Sequence, residues 1–383
     1  MTGSARKAPE RPPAAATIGV FDGVHRGHQA LLDRVVSAAR GFSGVPVVVT
    51  FARHPLAVLA PERCPEPLST GEERHALLRA RGIADVIVLD FDRAMSELTA
   101  REFLARVLLG RYDLRVLVAG PDFAMGRHRR GGLVELNALG AELGFAVEQV
   151  APVPALGSPV SSTRLRQAIA AGEVGVAREL LGRDYTIGGR VVSGHGRGRG
   201  LGYPTANLDV EEGKMLPGDG VYAAFVTRPP AARDSPEAGS PGAKAYGAAA
   251  ASGIAAGAGG TAAGLRGIAA SAGGTSAPAR GVAAGAARGA AEAWWPAVVN
   301  IGLAPTFGGA QRRVEVHVLD FAEDLRGDWL LVRVIARLRG EKRFPDASAL
   351  TVQIATDVTR ARQLLGAGSL KAGGPPADRS LEG

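Results

Sequence analysis

The sequence predicts two modules, a doubly wound α/β domain over residues 17–183 and a small antiparallel β-barrel over residues 184–366. Over the first 180 residues, near-continuous apolar strands alternate about five times with amphipathic helices, as in a parallel sheet with helices on both faces. From about residue 185, short runs of alternating polarity follow one another without helices between them, which is typical of a barrel or sandwich. The length of 383 residues also exceeds one ordinary hydrophobic core.

The α/β module begins with an apolar strand that ends at Ile18. Thr70 and Thr99 are the predicted N-caps of two helices, and Glu102 completes the capping-box spacing after Thr99. Further strands are predicted at 45–51, 85–91, 114–119 and 146–153, and helices at 69–81, 99–109, 132–143 and 163–171. Ligands of such sheets bind beyond the carboxyl ends of the strands, so segments 20–28, 119–130 and 158–166 are expected to converge.

The second module is predicted to contain six strands and one closing helix. The strands are placed at 185–192, 205–210, 220–227, 297–301, 312–321 and 328–339, and the helix at 346–365. Residues 228–293 consist mainly of Ala, Gly, Ser and Pro with one aromatic residue, and such a segment buries too little apolar surface to offset its ordering entropy. We predict a disordered insert there, and disordered tails at 1–16 and 367–383.

Composition limits the class of protein. Hydrophobic residues make up 46% of the chain and charged residues 21%, as in a soluble globular protein, and the formal charge of +8 suits phosphorylated ligands or nucleic acid without deciding between them. The single cysteine, Cys64, excludes an internal disulfide and a multi-cysteine metal site. With no signal-peptide core at 1–16 and no apolar run of about 18 residues bulky enough to span a bilayer, we expect a cytoplasmic protein without a membrane partner.

The turn after the first strand reads Gly19-Val-Phe21-Asp22-Gly23-Val-His25-Arg-Gly-His28. Unpaired backbone N–H groups at a helix start attract phosphate, and the two imidazoles add hydrogen-bond donors. Glycine in the turn permits a close approach of the backbone to a ligand. The alternative is a pair of histidines that only caps the helix.

A second group of anion-binding side chains starts the helix near residue 163. Ser161, Ser162 and Thr163 supply hydroxyl groups, and Arg164 supplies a guanidinium fork for phosphate oxygens. The alternative is an ordinary Ser/Thr helix cap beside solvated arginines.

In the second module, a glycine-rich run at 194–202 leads into Pro204-Thr205-Ala-Asn207. Such a run presents successive N–H groups to a phosphate, and the oxygens of Thr205 and Asn207 suit Mg²⁺. The alternative is a Gly/Arg segment that binds nucleic acid.

Farther along the second module, strict alternation at 313–318 places three valines on one face of a strand and Glu315 on the other. A carboxylate in that position can act as a general base. The alternative is a surface strand with a charged outer face.

These motifs resemble the bacterial bifunctional riboflavin kinase/FAD synthetases. The first module matches at IGVFDGVHRGHQALL (18–32), VVTFARHPLAVL (48–59), VAGPDFAMG (118–126) and VSSTRLRQAI (160–169). The second matches at GRVVSGHGRGRGLGYPTANL (189–208), PGDGVYAAFV (217–226), VVNIGLAPTFGG (298–309), RRVEVHVLDF (312–321) and GEKRF (340–344). The resemblance implies a Rossmann-like nucleotidyltransferase domain of the HxGH type that converts FMN and ATP to FAD, and a kinase barrel that phosphorylates riboflavin with Mg²⁺ and ATP.

The resemblance also assigns residues. In the first module it places the ATP phosphates at Gly19, Phe21, Asp22, Gly23, His25, His28, Ser161, Ser162, Thr163 and Arg164, with His25, His28 and Arg164 taking part in adenylyl transfer, and the flavin or nucleotide near Asp122 and Phe123. In the second it implies Glu315 as the base, an ATP site of Gly194, Gly196, Arg199, Gly202, Pro204, Thr205 and Asn207, and Mg²⁺ on Thr205 and Asn207.

Three positions depart from the family pattern. Val20 stands where Asn is common, Met125 replaces the second Phe of a Phe-x-Phe-Gly segment, and Arg326 stands where Tyr is usual, away from the expected chemistry.

Two other functions stay open at this point: an enzyme with one degenerate module, and a basic nucleic-acid-binding protein. The expected partners are riboflavin, FMN and ATP rather than nucleic acid, and the sequence leaves the oligomeric state open.

Overall fold

The structure, a computed structural model, describes residues 11–194, 197–228, 293–306 and 309–366. The predicted tail at 367–383, almost all of the predicted insert and Gly196 lie outside the described residues, as do residues 1–10 of the predicted N-terminal tail.

The first module is built on a five-stranded parallel sheet, which confirms the predicted fold class. Its strands are β1 (Pro13–Ile18), β2 (Val45–Phe51), β3 (Asp85–Leu89), β4 (Asp113–Ala119) and β5 (Ala146–Gln149), in the order β3-β2-β1-β4-β5. The chain reverses its direction of winding between β1 and β4, so the carboxyl ends of these two neighbours mark the point where ligands of such sheets bind.

Strand β1 begins at Pro13, inside the segment 1–16 that the sequence predicts as a tail. Ala14, Ala15 and Ala16 are fully buried at the centre of the sheet, where Ala14 pairs with Val45 of β2 and Leu114 of β4. Alanine has little intrinsic strand preference, so the strand is imposed by burial between two partners and gives little local signal.

Eight helices accompany these strands in the described part of the first module and its junction with the second. They are α1 (Arg26–Gly41), α2 (Leu56–Leu59), α3 (Gly71–Ala80), α4 (Arg93–Ser96), α5 (Ala100–Leu104, continued by a π-helical turn at Ala105–Leu109), α6 (Leu133–Leu143), α7 (Ser162–Ala170) and α8 (Val174–Leu181). A ninth short helix, α9 (Arg197–Gly200), lies between two strands of the second module. Short 3₁₀ turns occur at Asp22–Val24, Pro61–Arg63 and Arg127–Arg129. Thr70 and Thr99 are N-caps with complete capping boxes, as predicted. Helix α8 has no side-chain cap, so it lacks the start signal on which a prediction depends.

The second module is a closed six-stranded antiparallel barrel. Its strands are β8 (Tyr185–Val192), β9 (Ala206–Val210), β10 (Gly220–Thr227), β11 (Trp295–Thr306), β12 (Gly309–Val318) and β13 (Trp329–Gly340), in the order β10-β11-β12-β9-β8-β13. A short hairpin, β6 (Pro154–Ala155) and β7 (Ser158–Pro159), precedes α7 in the first module. The C-terminal helix α10 (Ala347–Leu365) is capped by the side chain of Asp346 and packs on the barrel.

One hydrophobic core joins the barrel to the helices before it. Leu165 and Ile169 of α7 and Leu180 of α8 belong to the same buried cluster as Ile187 and Tyr222 of the barrel. Helices α7 and α8 thus pack against the second module, and α7 also carries the phosphate-site hydroxyls predicted for the first.

Candidate active sites

The turn between β1 and α1 has an unusual backbone. Phe21, Gly23 and Val24 all have positive φ angles, of 52°, 75° and 38°. A β-branched residue such as Val24 rarely adopts this conformation, and strain of this kind persists only where the surroundings fix it. His25 then caps α1, because its Nδ1 accepts a hydrogen bond from the backbone N–H of His28 at 3.3 Å. The capping alternative is therefore correct for His25, and it does not exclude a phosphate site.

The two predicted histidines stack on each other. Their ring centroids lie 3.7 Å apart at an interplanar angle of 11°, and the ring of Phe21 lies 5.1 Å from that of His28. Burial lowers the pKa of His25 to about 4 and that of His28 well below its usual value, so both rings are neutral at pH 7. Among the described residues, the buried Nδ1 of His28 has no hydrogen-bond partner. A buried polar atom without a partner, at a helix start that can bind anions, is typical of a functional site.

Asp22 holds the turn from within. Its carboxylate accepts hydrogen bonds from the backbone N–H groups of Leu68 (2.9 Å) and Ser69 (3.0 Å), and it forms a 2.5 Å ion pair with Arg166. Ser69 also accepts a hydrogen bond from the N–H of Gly23 at 3.0 Å. The structure thus places Asp22 among protein donors that position the turn, while its predicted contact with ATP stays a prediction.

The start of α7 meets this turn, as the sequence predicts. Ser161 caps the helix by accepting from the N–H of Arg164, and the Ser162 hydroxyl donates to the backbone carbonyl of Asp22 at 3.4 Å. Thr163 is exposed. Arg164 donates to the carbonyls of Ser158 and Pro159, both at 2.7 Å, so its guanidinium group holds the β6–β7 hairpin in this structure.

Two further arginines, the buried Arg74 and the partly buried Arg183, also support the turn and are not predicted from the sequence. Arg74 of α3 donates to the carbonyls of Phe51 (2.6 Å) and Val20 (3.4 Å), at the carboxyl ends of β2 and β1. Arg183, which follows α8, donates to the carbonyls of Gly23 (2.8 Å) and Val24 (3.2 Å). Burial lowers the pKa of Arg183 to about 10, so it remains charged at pH 7. Neither residue lies in a recognisable motif, and only the tertiary fold brings them to the turn.

Beside the end of β4 lies an open cavity of about 630 Å³, and two predicted residues, Asp122 and Phe123, line it. Leu133 and Val134 of α6 also line it. The cavity lies next to the turn in sheet order, since β4 is the direct neighbour of β1. Its size and its apolar wall suit a planar ring system.

The second candidate site lies on the barrel. A cavity of about 400 Å³ is lined by four predicted residues, Gly194, Pro204, Thr205 and Asn207. Gly194 lies so close to Asn207 that a Cβ atom on it would be 2.0 Å from the amide nitrogen of Asn207. Gly202 has a φ of 81°, which favours glycine. The side chain of Arg199, in helix α9, lies outside the described residues.

Glu315 does not line this cavity, but the strand register places it beside Asn207, which does. Its cross-strand partner in β9 is Asn207, and its partner in β11 is Asn300. Val314, Val316 and Val318 are buried inside the barrel, so Glu315 points to the outer face, as the alternation predicts. His317 lies two residues farther on the same face, and its Nδ1 donates to the carbonyl of Pro204 at 2.8 Å. This bond fastens the segment before Thr205 to β12.

One expectation about the barrel is wrong. Arg326 is predicted to lie away from the chemistry, but it lines the same cavity as Thr205 and Asn207, together with Leu325. Arg326 forms an ion pair with Asp324, whose side chain also lies on the cavity wall. The loop between β12 and β13 folds back over the strand ends, which sequence spacing does not indicate.

No helix among the described residues is long and apolar enough to cross a bilayer.

Comparisons with known proteins identify both modules. A family model for FAD synthetase matches residues 7–164, and one for riboflavin kinase matches residues 181–260 and 268–365. The bifunctional riboflavin kinase/FMN adenylyltransferase of Escherichia coli K12 is 31% identical over 91% of this chain and 92% of its own length. The enzyme of the same name from Pseudomonas fluorescens is 33% identical over 93% of this chain and 94% of its own length.

Among solved structures, a protein described as a macrolide-efflux protein from Streptococcus pneumoniae has the same overall fold. It is 27% identical, with a TM-score of 0.69 over 93% of this chain and 95% of its own. Because both family models match, nothing in the comparisons supports the alternative in which one module is degenerate.

Proposed function

The chain belongs to the family of bifunctional riboflavin kinases/FMN adenylyltransferases, and from this premise we propose how its residues perform the two reactions. The barrel transfers the γ-phosphoryl group of ATP to riboflavin, giving FMN and ADP. The α/β module joins the AMP part of a second ATP to FMN, giving FAD and pyrophosphate. The substrates of the two modules together are therefore riboflavin, FMN and ATP.

In the α/β module, the triphosphate of ATP lies at the start of α1. The N–H groups of the helix start and the neutral rings of His25 and His28 donate to phosphate oxygens, and the unpartnered Nδ1 of His28 is the observation that supports this placement. The FMN phosphate attacks the α-phosphorus, the bond to the β-phosphate oxygen breaks, and pyrophosphate leaves. The protein contributes position and charge stabilisation rather than a covalent nucleophile.

Ser161, Ser162, Thr163 and Arg164 complete the phosphate site from the start of α7. Arg164 reaches a phosphate only after it releases the carbonyls of the β6–β7 hairpin. Gly19, Phe21, Asp22 and Gly23 shape the turn, and Asp122 and Phe123 line the cavity for the flavin or the adenine.

In the barrel, Glu315 is the general base. It accepts the proton of the ribityl 5′-hydroxyl as that oxygen attacks the γ-phosphorus of ATP, and ADP leaves. The cross-strand pairing of Glu315 with Asn207, at the edge of the cavity that Thr205 lines, is the observation that carries this assignment. The glycine-rich segment that includes Gly194, Gly196 and Gly202, with Arg199 and Pro204, borders the ATP.

Mg²⁺ fits the barrel site because its donors are oxygens. Thr205 and Asn207, which carry a hydroxyl and an amide oxygen, line one cavity, and Mg²⁺ prefers such hard ligands together with the phosphates of its nucleotide. When bound, the ion neutralises phosphate charge.

A cytoplasmic location is part of the proposal and rests on the single cysteine, which suits a reducing compartment.

A product time course tests the function. Purified protein supplied with riboflavin, Mg²⁺ and ATP should form FMN first and FAD later, followed by chromatography with fluorescence detection. Accumulation of FMN without FAD would contradict a working α/β module. Binding to RNA at low salt without ATP turnover would instead support the nucleic-acid alternative.

A further inference from the structure

A buried polar cluster lies between the two modules. Lys214, in the β9–β10 connection of the barrel, forms a 2.5 Å ion pair with Glu73 of α3 and donates to the backbone carbonyl of Leu68 at 2.6 Å. The side chains of Lys214 and Glu73 are each only 2% exposed. Thr186 of β8 donates to the second oxygen of Glu73 at 3.1 Å, and the Tyr185 hydroxyl lies within hydrogen-bond distance of the carbonyls of Met215 (2.7 Å) and Leu68 (3.0 Å).

The same peptide segment faces the nucleotide turn on its other side. The carbonyl of Leu68 binds the barrel, while the N–H groups of Leu68 and Ser69 bind the carboxylate of Asp22. Asp22 lies within the turn whose residues Phe21 and Val24 have positive φ angles. One segment of the chain thus joins Lys214 to the backbone that presents His25 and His28.

Helix α3 makes a parallel connection. Glu73 faces the barrel, and its neighbour Arg74 donates to the carbonyls of Phe51 and Val20, just before the turn. Ala76, one turn beyond Glu73 on the same helix, packs against Leu331 of β13. A shift of α3 relative to the barrel would therefore move the carboxyl ends of β1 and β2.

We propose that Lys214, a residue of the kinase barrel, is a positioning residue for adenylyl transfer in the α/β module. It fixes the Leu68 carbonyl and Glu73, so that the N–H groups of Leu68 and Ser69 hold Asp22 and keep the turn of residues 19–28 in its strained, phosphate-binding form. The inference rests on the proposed ATP site at that turn. It means that the α/β module depends on the barrel for its geometry, while the kinase reaction has no corresponding need of Glu73.

The test is the variant Lys214→Met, assayed separately for riboflavin phosphorylation and for FAD formation from supplied FMN and ATP. For FAD formation we expect kcat/KM to fall between about 10-fold and 100-fold, mainly through a higher KM for ATP, because the turn binds the triphosphate before the reaction. The kcat/KM for riboflavin phosphorylation should change less than about twofold. A folded variant with unchanged kinetics of FAD formation would overturn the proposal.

A second variant separates positioning from folding. Lys214→Met leaves the Glu73 carboxylate buried without its cation, which can unfold the junction. The double variant Glu73→Gln/Lys214→Met removes both charges and still lacks the Lys214 ammonium group as a donor to the Leu68 carbonyl, which then keeps only the Tyr185 hydroxyl at 3.0 Å. We expect its thermal stability to recover towards that of the wild type while the raised KM for ATP persists; full recovery of FAD formation would overturn the proposal.

The matched control is Arg339→Met. It breaks the 2.9 Å ion pair of Arg339 with Asp357, which joins β13 to α10 inside the second module. We expect lower stability with an unchanged KM for ATP in FAD formation; a raised KM for ATP here would overturn the specific role of Lys214. A wild-type protein that forms no FAD from FMN would instead contradict the proposed function itself.

Discussion

Asn207 lies directly opposite Glu315 in the antiparallel register of β9 and β12. Directly opposed residues share one face of the sheet and lie close enough for their side chains to interact. The buried valines on either side of Glu315 turn both residues towards the outer face of the barrel. The register therefore brings the proposed base beside the proposed ligand of Mg²⁺ and ATP, although the two residues lie 108 positions apart in the sequence.

Glu315→Gln tests the assignment of the base. Glutamine keeps the size and the outward position of the side chain but cannot accept the proton of the ribityl hydroxyl. Riboflavin phosphorylation should fall about 100-fold or more in kcat, while FAD formation from supplied FMN should stay close to that of the wild type. Both rates are measured by chromatography of the flavin products. An equal loss of riboflavin phosphorylation and FAD formation would contradict the assignment of the two reactions to independent sites.

Gly194→Ala tests whether Asn207 must be held in place. A Cβ atom at residue 194 would lie 2.0 Å from the Asn207 amide nitrogen, so the amide must move. We expect KM for ATP in riboflavin phosphorylation to rise about tenfold, with FAD formation unchanged. Gly200→Ala is the control, because a Cβ atom there has no heavy atom within 4 Å. If Gly200→Ala raises the KM for ATP as much as Gly194→Ala does, crowding of Asn207 is not the cause of the increase.

The parts of the molecule that the sequence predicts are those with a local signal. The alternation around Glu315 depends on a period of two residues, and the capping box at Thr99 on a spacing of three, so both are correct. Strand β1 is extended to Pro13 by alanines that carry no strand preference, and helix α8 lacks a cap, so neither boundary is visible beforehand.

In the candidate sites, too, only the features with a local sequence signal are predictable. The stretch containing His25 and His28 is contiguous and recognisable, whereas the supports of the turn come from distant segments. Asp22 binds the N–H of Leu68, which lies 46 residues away in the chain, and the guanidinium group of Arg166, 144 residues away. Lys214 gives no signal at all, since its role depends on the packing of one module on the other.

His28→Ala should affect the other reaction. The change removes a ring that stacks on His25 at 3.7 Å and the donor proposed for the triphosphate. FAD formation from FMN should fall about 100-fold or more, and riboflavin should still be phosphorylated, so that FMN accumulates. The measurement is the same product assay. FAD formation at the wild-type rate would remove His28 from the proposed machinery.

The barrel should tolerate removal of residues 229–292. The strands on either side are direct neighbours, since Val226 of β10 pairs with Trp295 of β11, so a four-residue turn after Arg228 can join them. Arg228 is kept because it forms ion pairs with Glu323 (3.0 Å) and Asp328 (3.1 Å). A shorter loop costs less closure entropy, so the unfolding temperature should equal or exceed that of the full chain. A less stable or kinase-inactive product would show that these residues contribute to the fold or to the site.

The lowered pKa values of His25 and His28 predict a dependence of stability on pH. Burial lowers the pKa of His25 to about 4, against about 6.5 in an unfolded chain, so between these values the unfolded state binds more protons. The free energy of unfolding therefore falls as the pH drops through this window. From pH 7 to pH 5, His25 alone should account for a loss of about 2 kcal/mol.

The variant His25→Asn isolates this contribution, because asparagine is a good N-cap for α1 and does not titrate. Urea unfolding at pH 7 and pH 5 should show a smaller loss of stability for the variant than for the wild type, with the difference close to the contribution of His25. His28, whose pKa burial also lowers, remains in both proteins and leaves part of the dependence in the variant. Parallel pH curves for the two proteins would mean that the ring of His25 is not buried in its neutral form, and the neutral-donor role proposed for it at the ATP site would have to be abandoned.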